Sequence, residues 1–331
     1  MNAKNQRITL GAVVALAFVA FDSRPVLADP YSDEILKFRQ APMIATPIEG
    51  VTYFGHDELS TAYLDPAVPN PFYSGTFMAD DFADKFDTPV FHVTWWGSYL
   101  HNQTQTGGVK RFLISFEKDV PVSPDNPFSH PGEPILSQVV TLSVIAAPTP
   151  PAPGTFTEAF VRPPDPLLGE ALFKYNAELA IPFQQRPDTV YWLKVVALVN
   201  PLEEGQLQWG WHNRDYTIPN PFASAPPAVM PGEHPEGPIS PTQTIWHFQD
   251  DAVSGGVVIS APAAGGTGVT VTQTGFAKED YVPPYDGPTP IANHSKDLAF
   301  ELHTRVPEPS SIILLLLGGI GLMSLVGRKR S

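Results

Sequence analysis

The sequence predicts an all-β protein, a two-layer β-sandwich or jelly roll followed by a single C-terminal transmembrane helix. Three observations carry the sandwich. Thirty-eight prolines in 331 residues break up any long helical pattern. Where apolar residues recur with a period, that period is two almost everywhere. The alternating stretches are short, roughly ten in number, and Pro-, Gly- and Asn-rich turns separate them, the spacing expected of a sandwich.

Residues 29–75 read as an N-terminal lead-in outside the core that could pack as an edge strand, with Ser32 to Gln40 as the one segment able to form a short helix, ahead of a sandwich domain over 76–304. In Val90–Trp96, Trp95 shares a face with Phe91 and Val93 and points to a core, whereas Trp96 shares the other face with His92 and Thr94. Arg111–Glu117 turns Phe112, Ile114 and Phe116 inward. Gln138–Ile145 and Thr157–Arg162 follow, and Ala171–Leu179 buries Phe173, Tyr175 and Leu179 opposite Lys174, Asn176 and Glu178. Val190–Val199 is apolar on both faces apart from Lys194, the pattern of a central strand covered on each side. Gln206–Trp211, Thr244–Phe248, Val257–Ser260 and Gly268–Gln273 are further strands, and Gly255-Gly256 and Gly265-Gly266 read as turns. In Asp297–Leu302, Leu298, Phe300 and Leu302 share a face opposite Asp297 and Glu301. Asn-Pro-Phe recurs at Asn70, Asn126 and Asn220, each a turn followed by a Phe that tucks into a sheet edge. Pro-rich stretches at 146–154 and 219–243 are expected to be exposed loops.

The first residues carry Lys4 and Arg7, an apolar run from Ile8 to Phe21, and then Val26-Leu27-Ala28, whose small residues suit signal peptidase cleavage after Ala28. The run is short of the roughly 20 residues that a spanning helix needs. The absence of cysteine excludes a lipoprotein anchor, a disulfide framework, a thiolate metal site and a cysteine nucleophile, so stability must come from the core. Without residues 1–28 and 307–331 the chain keeps 14 basic and 32 acidic residues, a formal charge of −18. Such a surface repels nucleic acid, which excludes it as a partner, and attracts divalent cations.

The other end reads Val306-Pro307-Glu308-Pro309-Ser310-Ser311, an uncharged stretch from Ile312 to Val326, and then Arg328-Lys329-Arg330. Prolines keep the approach extended, the apolar stretch enters the bilayer, and the basic cluster stays cytoplasmic, which puts the body outside the cytoplasm. As a helix the stretch rises only about 22 Å against a hydrocarbon core of about 30 Å, the length of a temporary anchor. This order of elements over residues 305–331 closely resembles the PEP-CTERM sorting signal of Gram-negative exopolysaccharide producers. The resemblance implies processing by a membrane exosortase near Pro307–Pro309.

The body carries Ala79-Asp80-Asp81-Phe82, Trp95-Trp96-Gly97-Ser98-Tyr99, Ser129-His130-Pro131-Gly132-Glu133, Tyr191-Trp192-Leu193, Trp209-Gly210-Trp211 and Asp250-Asp251-Ala252. Over residues 79–302 it resembles an uncharacterised exported domain of PEP-CTERM and planctomycete surface proteins, a resemblance that implies no activity.

Candidate chemistry is sparse. Asp80, Asp81, Asp84 and Asp87, with Asp250 and Asp251, offer oxygen ligands for Ca²⁺ without an EF-hand or RTX loop, but they better suit turn caps facing water, since consecutive strand residues point to opposite faces. The same carboxylates could supply the pair that a glycosidase needs about 5 to 9.5 Å apart. Trp96, Tyr99, Trp209 and Trp211, with Trp95, Trp246 and Tyr216, could form a platform for sugar rings or lie in the core. His92, His101, His130, His212, His234 and His247 lack metal-ligand spacing, Ser98 lacks a nucleophile elbow, and no Gly-rich loop precedes a helix and lysine. These observations point to a non-enzymatic surface or matrix protein, structural, adhesive or carbohydrate-binding, associated with exopolysaccharide and with no cofactor expected unless the aspartates take up Ca²⁺. The alternative is a secreted carbohydrate-active enzyme using an Asp/Glu pair.

Overall fold

A computed structural model describes residues 34–48, 50–67, 72–102, 108–121, 123–125, 128–143, 150–166, 169–215, 252–260, 268–278 and 297–305. Its strands are β1 (Glu34–Gln40), β2 (Thr46–Ile48), β3 (Val51–Tyr53), β4 (Asp57–Leu59), β5 (Thr61–Leu64), β6 (Phe72–Phe82), β7 (Val90–Tyr99), β8 (Arg111–Val120), β9 (His130–Leu142), β10 (Thr155–Arg162), β11 (Leu172–Phe183), β12 (Tyr191–Val199), β13 (Trp209–His212), β14 (Val253–Ser260), β15 (Thr270–Lys278) and β16 (Phe300–Arg305). The one α-helix among the described residues, α1 (Pro201–Glu204), is a single turn capped by Asn200.

One layer runs β15-β14-β6-β12-β8-β9, antiparallel throughout. β6 splays from β12 at one end, and β5 fills the gap, parallel to β12 and antiparallel to β6. The other layer runs β10-β11-β7-β16-β1, with β13 continuing on the β7 edge that β16 leaves. A short parallel contact of β9 with β10 joins the layers. This is the predicted all-β, sandwich-like architecture, and it buries apolar side chains of both layers against each other.

That core is aromatic. Trp95 stacks on Tyr175 at 5.4 Å, Phe112 meets Trp95 edge-on at 5.2 Å, and Phe116 stacks on Phe183 at 4.2 Å. Alternation places the inward residues as expected: Phe112, Ile114 and Phe116 of β8, Phe173, Tyr175 and Leu179 of β11, and Leu298, Phe300 and Leu302 at β16. β12 is buried along its whole length, as its doubly apolar sequence requires. Its odd-numbered side chains enter the main core, while Trp192, Val196 and Leu198 enter a second core on the outer face of their layer.

The second core exists because the β14–β15 hairpin curls over that outer face towards β9, where Gln273 Nε2 donates to Gly132 O at 2.7 Å and Phe276 stacks on His130 at 4.0 Å. Gly255-Gly256, expected as a turn, lies inside β14 at a register shift that bends the strand. A Cβ at Gly255 would sit 2.4 Å from Gly275 O and 2.6 Å from the Phe77 ring, so only glycine permits the approach.

Two further expectations change. Ser32 to Gln40 is no helix where described: Glu34–Gln40 is β1, because so short a helix is marginal alone, whereas pairing with β16 satisfies the backbone and buries Phe38 against Phe300 at 5.1 Å. The 29–75 stretch is more than a lead-in, since it supplies β1 to β5 and the fully buried Phe38 and Ala62. Thr244–Phe248, the 219–243 loop, Gly265-Gly266 and the three Asn-Pro-Phe asparagines lie outside the described residues.

Candidate functional site

The outer face of β1, β16, β7 and β11 carries polar side chains in register across four strands. His303 on β16 pairs with Leu36 on β1 and with His92 on β7, and His92 pairs with Glu178 on β11. One row along, Glu301 pairs with Arg39 and with Thr94, and Thr94 pairs with Asn176. These rows line a cleft of about 260 Å³, whose walls include Glu34, Glu301, His92, His303, Lys174 and Asn176.

The side chains hold one another in place. Glu34 Oε2 lies 2.8 Å from His92 Nδ1, and the His92 and His303 rings stack at 5.1 Å. Thr94 Oγ1 donates to Asn176 Oδ1 at 2.9 Å, and Arg39 Nε lies 3.0 Å from a Glu301 oxygen. Burial pushes the His92 imidazole below its usual value, although the Glu34 carboxylate favours the charged ring. Burial would raise Glu301, but His303, Lys174 and Arg39 outweigh it and hold the carboxyl below its ordinary value. An ionised carboxylate, imidazoles, an amide and an ammonium thus face one shallow space, which can form several hydrogen bonds to a hydroxylated ligand.

Of the two readings open for Trp96, Tyr99, Trp209 and Trp211, a platform for sugar rings does not form, because all four are buried. Trp209 and Trp211, both 0 % exposed, alternate about Gly210 and enter the main core. Trp209 Nε1 donates to Tyr175 Oη at 3.1 Å, and Trp211 Nε1 donates to Ala299 O at 2.9 Å. Tyr99 donates to Glu158 Oε2 at 2.6 Å and accepts from Val109 N at 2.9 Å, again inside. Trp96 does lie on the outer face with His92 and Thr94, but Leu172 and Ala299 cover it and Lys174 Nζ sits 5.4 Å over its ring.

Asp80, Asp81 and Asp84 do not face water; they are buried at the end of β6 and beyond it, where they serve as braces. Asp80 accepts from Leu298 N at 2.6 Å, and Asp84 accepts from Phe86 N at 2.7 Å and lies 3.7 Å from the buried Lys37 ammonium. Backbone donors and a lysine pull these carboxylates apart, and among the described residues no group of three or more His, Asp or Glu side chains could hold a metal ion. Asp250, Asp251, Trp246, Tyr216, Ala28 and the tail residues Pro307, Glu308, Pro309, Arg328, Lys329 and Arg330 lie outside the described residues. Among the described residues no helix is long and apolar enough to cross a membrane.

A second titratable group sits apart from the cleft. Burial, followed by the nearby Asp57 and Asp165 carboxylates, raises Glu170 from the usual 4.5 to about 7, against the opposing effects of the His101 N–H and His212. Its Oε1 accepts from His101 N at 3.0 Å, beside a backbone at φ 59°. The folded value exceeds the unfolded one, so folding takes up a proton and stability falls as pH rises from 4.5 to 7. Glu170→Gln keeps the oxygen for His101 and removes the charge. Thermal unfolding should find this variant more stable than the parent at pH 8, by at most about 3 kcal/mol, with the advantage gone at pH 4.5.

A family model described as a domain of unknown function, DUF7901, matches residues 36–303. A second model, the PEP-CTERM protein-sorting motif, matches residues 305–331. No curated protein and no solved structure matches the chain.

Proposed function

Because the chain belongs to the DUF7901 family and ends in a PEP-CTERM sorting motif, we propose that this exported, exosortase-sorted cell-surface protein is a carbohydrate-binding component of the exopolysaccharide layer. In this reading signal peptidase removes residues 1–28, the C-terminal stretch holds the protein briefly in the inner membrane, and exosortase cuts near Pro307–Pro309.

The observation that carries the binding role is the cleft between β1, β16, β7 and β11, with charged and neutral hydrogen-bonding groups at fixed register. Sugar hydroxyls donate and accept at once, and the cleft offers both functions within about 260 Å³. A hydrolase has less support there. Glycoside hydrolysis needs one carboxyl kept protonated as a general acid, and Glu301, held below its ordinary value, is not that group.

The test is titration of the full chain with oligosaccharides from the producing cell's own exopolysaccharide. Lys174→Ala and Asn176→Ala should each weaken binding about tenfold, near 1.4 kcal/mol, without sugar release. An affinity equal to the parent's in both variants would remove the cleft as the binding site.

A further inference from the structure

The second core encloses a group that neither the cleft nor the sorting motif uses. Lys194 is the one polar side chain on the second-core face of β12, and both it and Glu117 of β8 are fully buried. Lys194 Nζ donates to both Glu117 oxygens, at 2.8 and 2.9 Å, and lies 4.0 Å from the centre of the Phe77 ring. It also donates to Gln273 Oε1 at 2.6 Å, reaching across to β15 of the curled hairpin. The Gln273 amide is fixed in turn, its Nε2 donating to Glu117 Oε2 at 2.9 Å and to Gly132 O at 2.7 Å. Ser115 Oγ donates to Glu117 Oε1 at 2.9 Å and holds the carboxylate in place.

An amine, a carboxamide and a carboxylate touching both are the parts of an intramolecular acyl transfer. We propose that Lys194 and Gln273 join in an isopeptide bond, with Glu117 carrying the protons. Nζ lies 2.6 Å from Oε1, so it is no farther than about 3.8 Å from Cδ, close to the 3–3.5 Å of a near-attack arrangement. Burial lowers the Lys194 amine to about 8, against the pull of Glu117, which brings its neutral form within reach of physiological pH.

The step balances without an oxidant or a co-reactant. Glu117 takes a proton from the ammonium, and the freed Nζ lone pair attacks Cδ to form the Nζ–Cδ bond. Glu117 then gives that proton to Nε2 and takes the second Nζ proton, the Cδ–Nε2 bond breaks, the carbonyl re-forms, and ammonia leaves. The products are a neutral amide and a neutral Glu117 carboxyl where a buried ion pair stood, which relieves the cost of keeping two charges out of water. The bond ties β12 to the hairpin that covers it, in a chain with no cysteine to make such a staple.

Tandem mass spectrometry of a tryptic digest of the full-length protein tests this. The expected result is a branched peptide linking Lys194 to Gln273, lighter by one ammonia than its two parts, with trypsin unable to cut after Lys194. Gln273→Ala and Glu117→Gln should abolish the branched species and lower the unfolding temperature. Recovery of residues 194 and 273 in separate, unmodified peptides from the parent protein overturns the proposal, and that reading does not depend on how any variant folds.

Discussion

Trp209→Ala should cost about 3–5 kcal/mol, the range for emptying a large aromatic from a packed core. Trp209 is fully buried, meets Phe112 edge-on at 4.9 Å and Tyr175 at 5.8 Å, and donates to the Tyr175 hydroxyl. Gly97 leaves it room, since a Cβ there would come within 2.3 Å of its ring. In a thermal melt the loss should lower the midpoint by about 10 °C, and the Tyr175 hydroxyl should lose a buried donor. A stacking platform gives the opposite pattern: the variant would melt like the parent and lose only its ligand.

Asp297→Ala should cost a comparable amount, about 3 kcal/mol, because it breaks a buried pair and leaves the Arg214 guanidinium without that carboxylate. Asp297 Oδ2 lies 2.7 Å from Arg214 Nε, with the two side chains 0 % and 7 % exposed. The same residue accepts from Arg214 N at 2.9 Å through its carbonyl, so it fastens the start of the C-terminal strand to the segment after β13. Urea unfolding should show the lower midpoint, and an Arg214→Met/Asp297→Leu double variant should recover most of it, since apolar replacement of a buried pair is often neutral. If the single variant unfolds at the parent's midpoint, the pair contributes nothing.

Faces were legible in the sequence and their assembly was not. A period of two assigns Lys174, Asn176 and Glu178 to one side of β11, and His92, Thr94 and Trp96 to one side of β7, without knowledge of neighbours. The cleft needs those strands side by side with β16 and β1, and that adjacency comes from pairing between residues such as Glu34 and Arg305, far apart in the chain. β6 is illegible in the sequence for a different reason. Its end carries Asp80 and Asp81, both fully buried, so hydrophobic alternation fails where backbone donors replace apolar contacts. Trp-Gly-Trp was ambiguous by nature, because alternation puts both rings on one face whether that face meets a core or a ligand. Lys194 stood out as the lone charge in an apolar strand, but nothing local named Glu117 or Gln273 as its partners.

Arg305 ends β16 and is also the first residue of the sorting motif, so any pull on the tail enters the domain along that strand. β16 is hydrogen-bonded on both edges, to β1 and to β7, and antiparallel bonds lie across the strand axis. Tension from the attachment point therefore loads those bonds together, in shear, where an edge strand pulled sideways would release them one at a time. Glu34 lies opposite Arg305, so β1 also begins at the loaded end. A protein joined to the cell surface through the C-terminus left by that cut would, in moving fluid, bear drag along β16, the same strand that supplies Glu301 and His303 to the cleft.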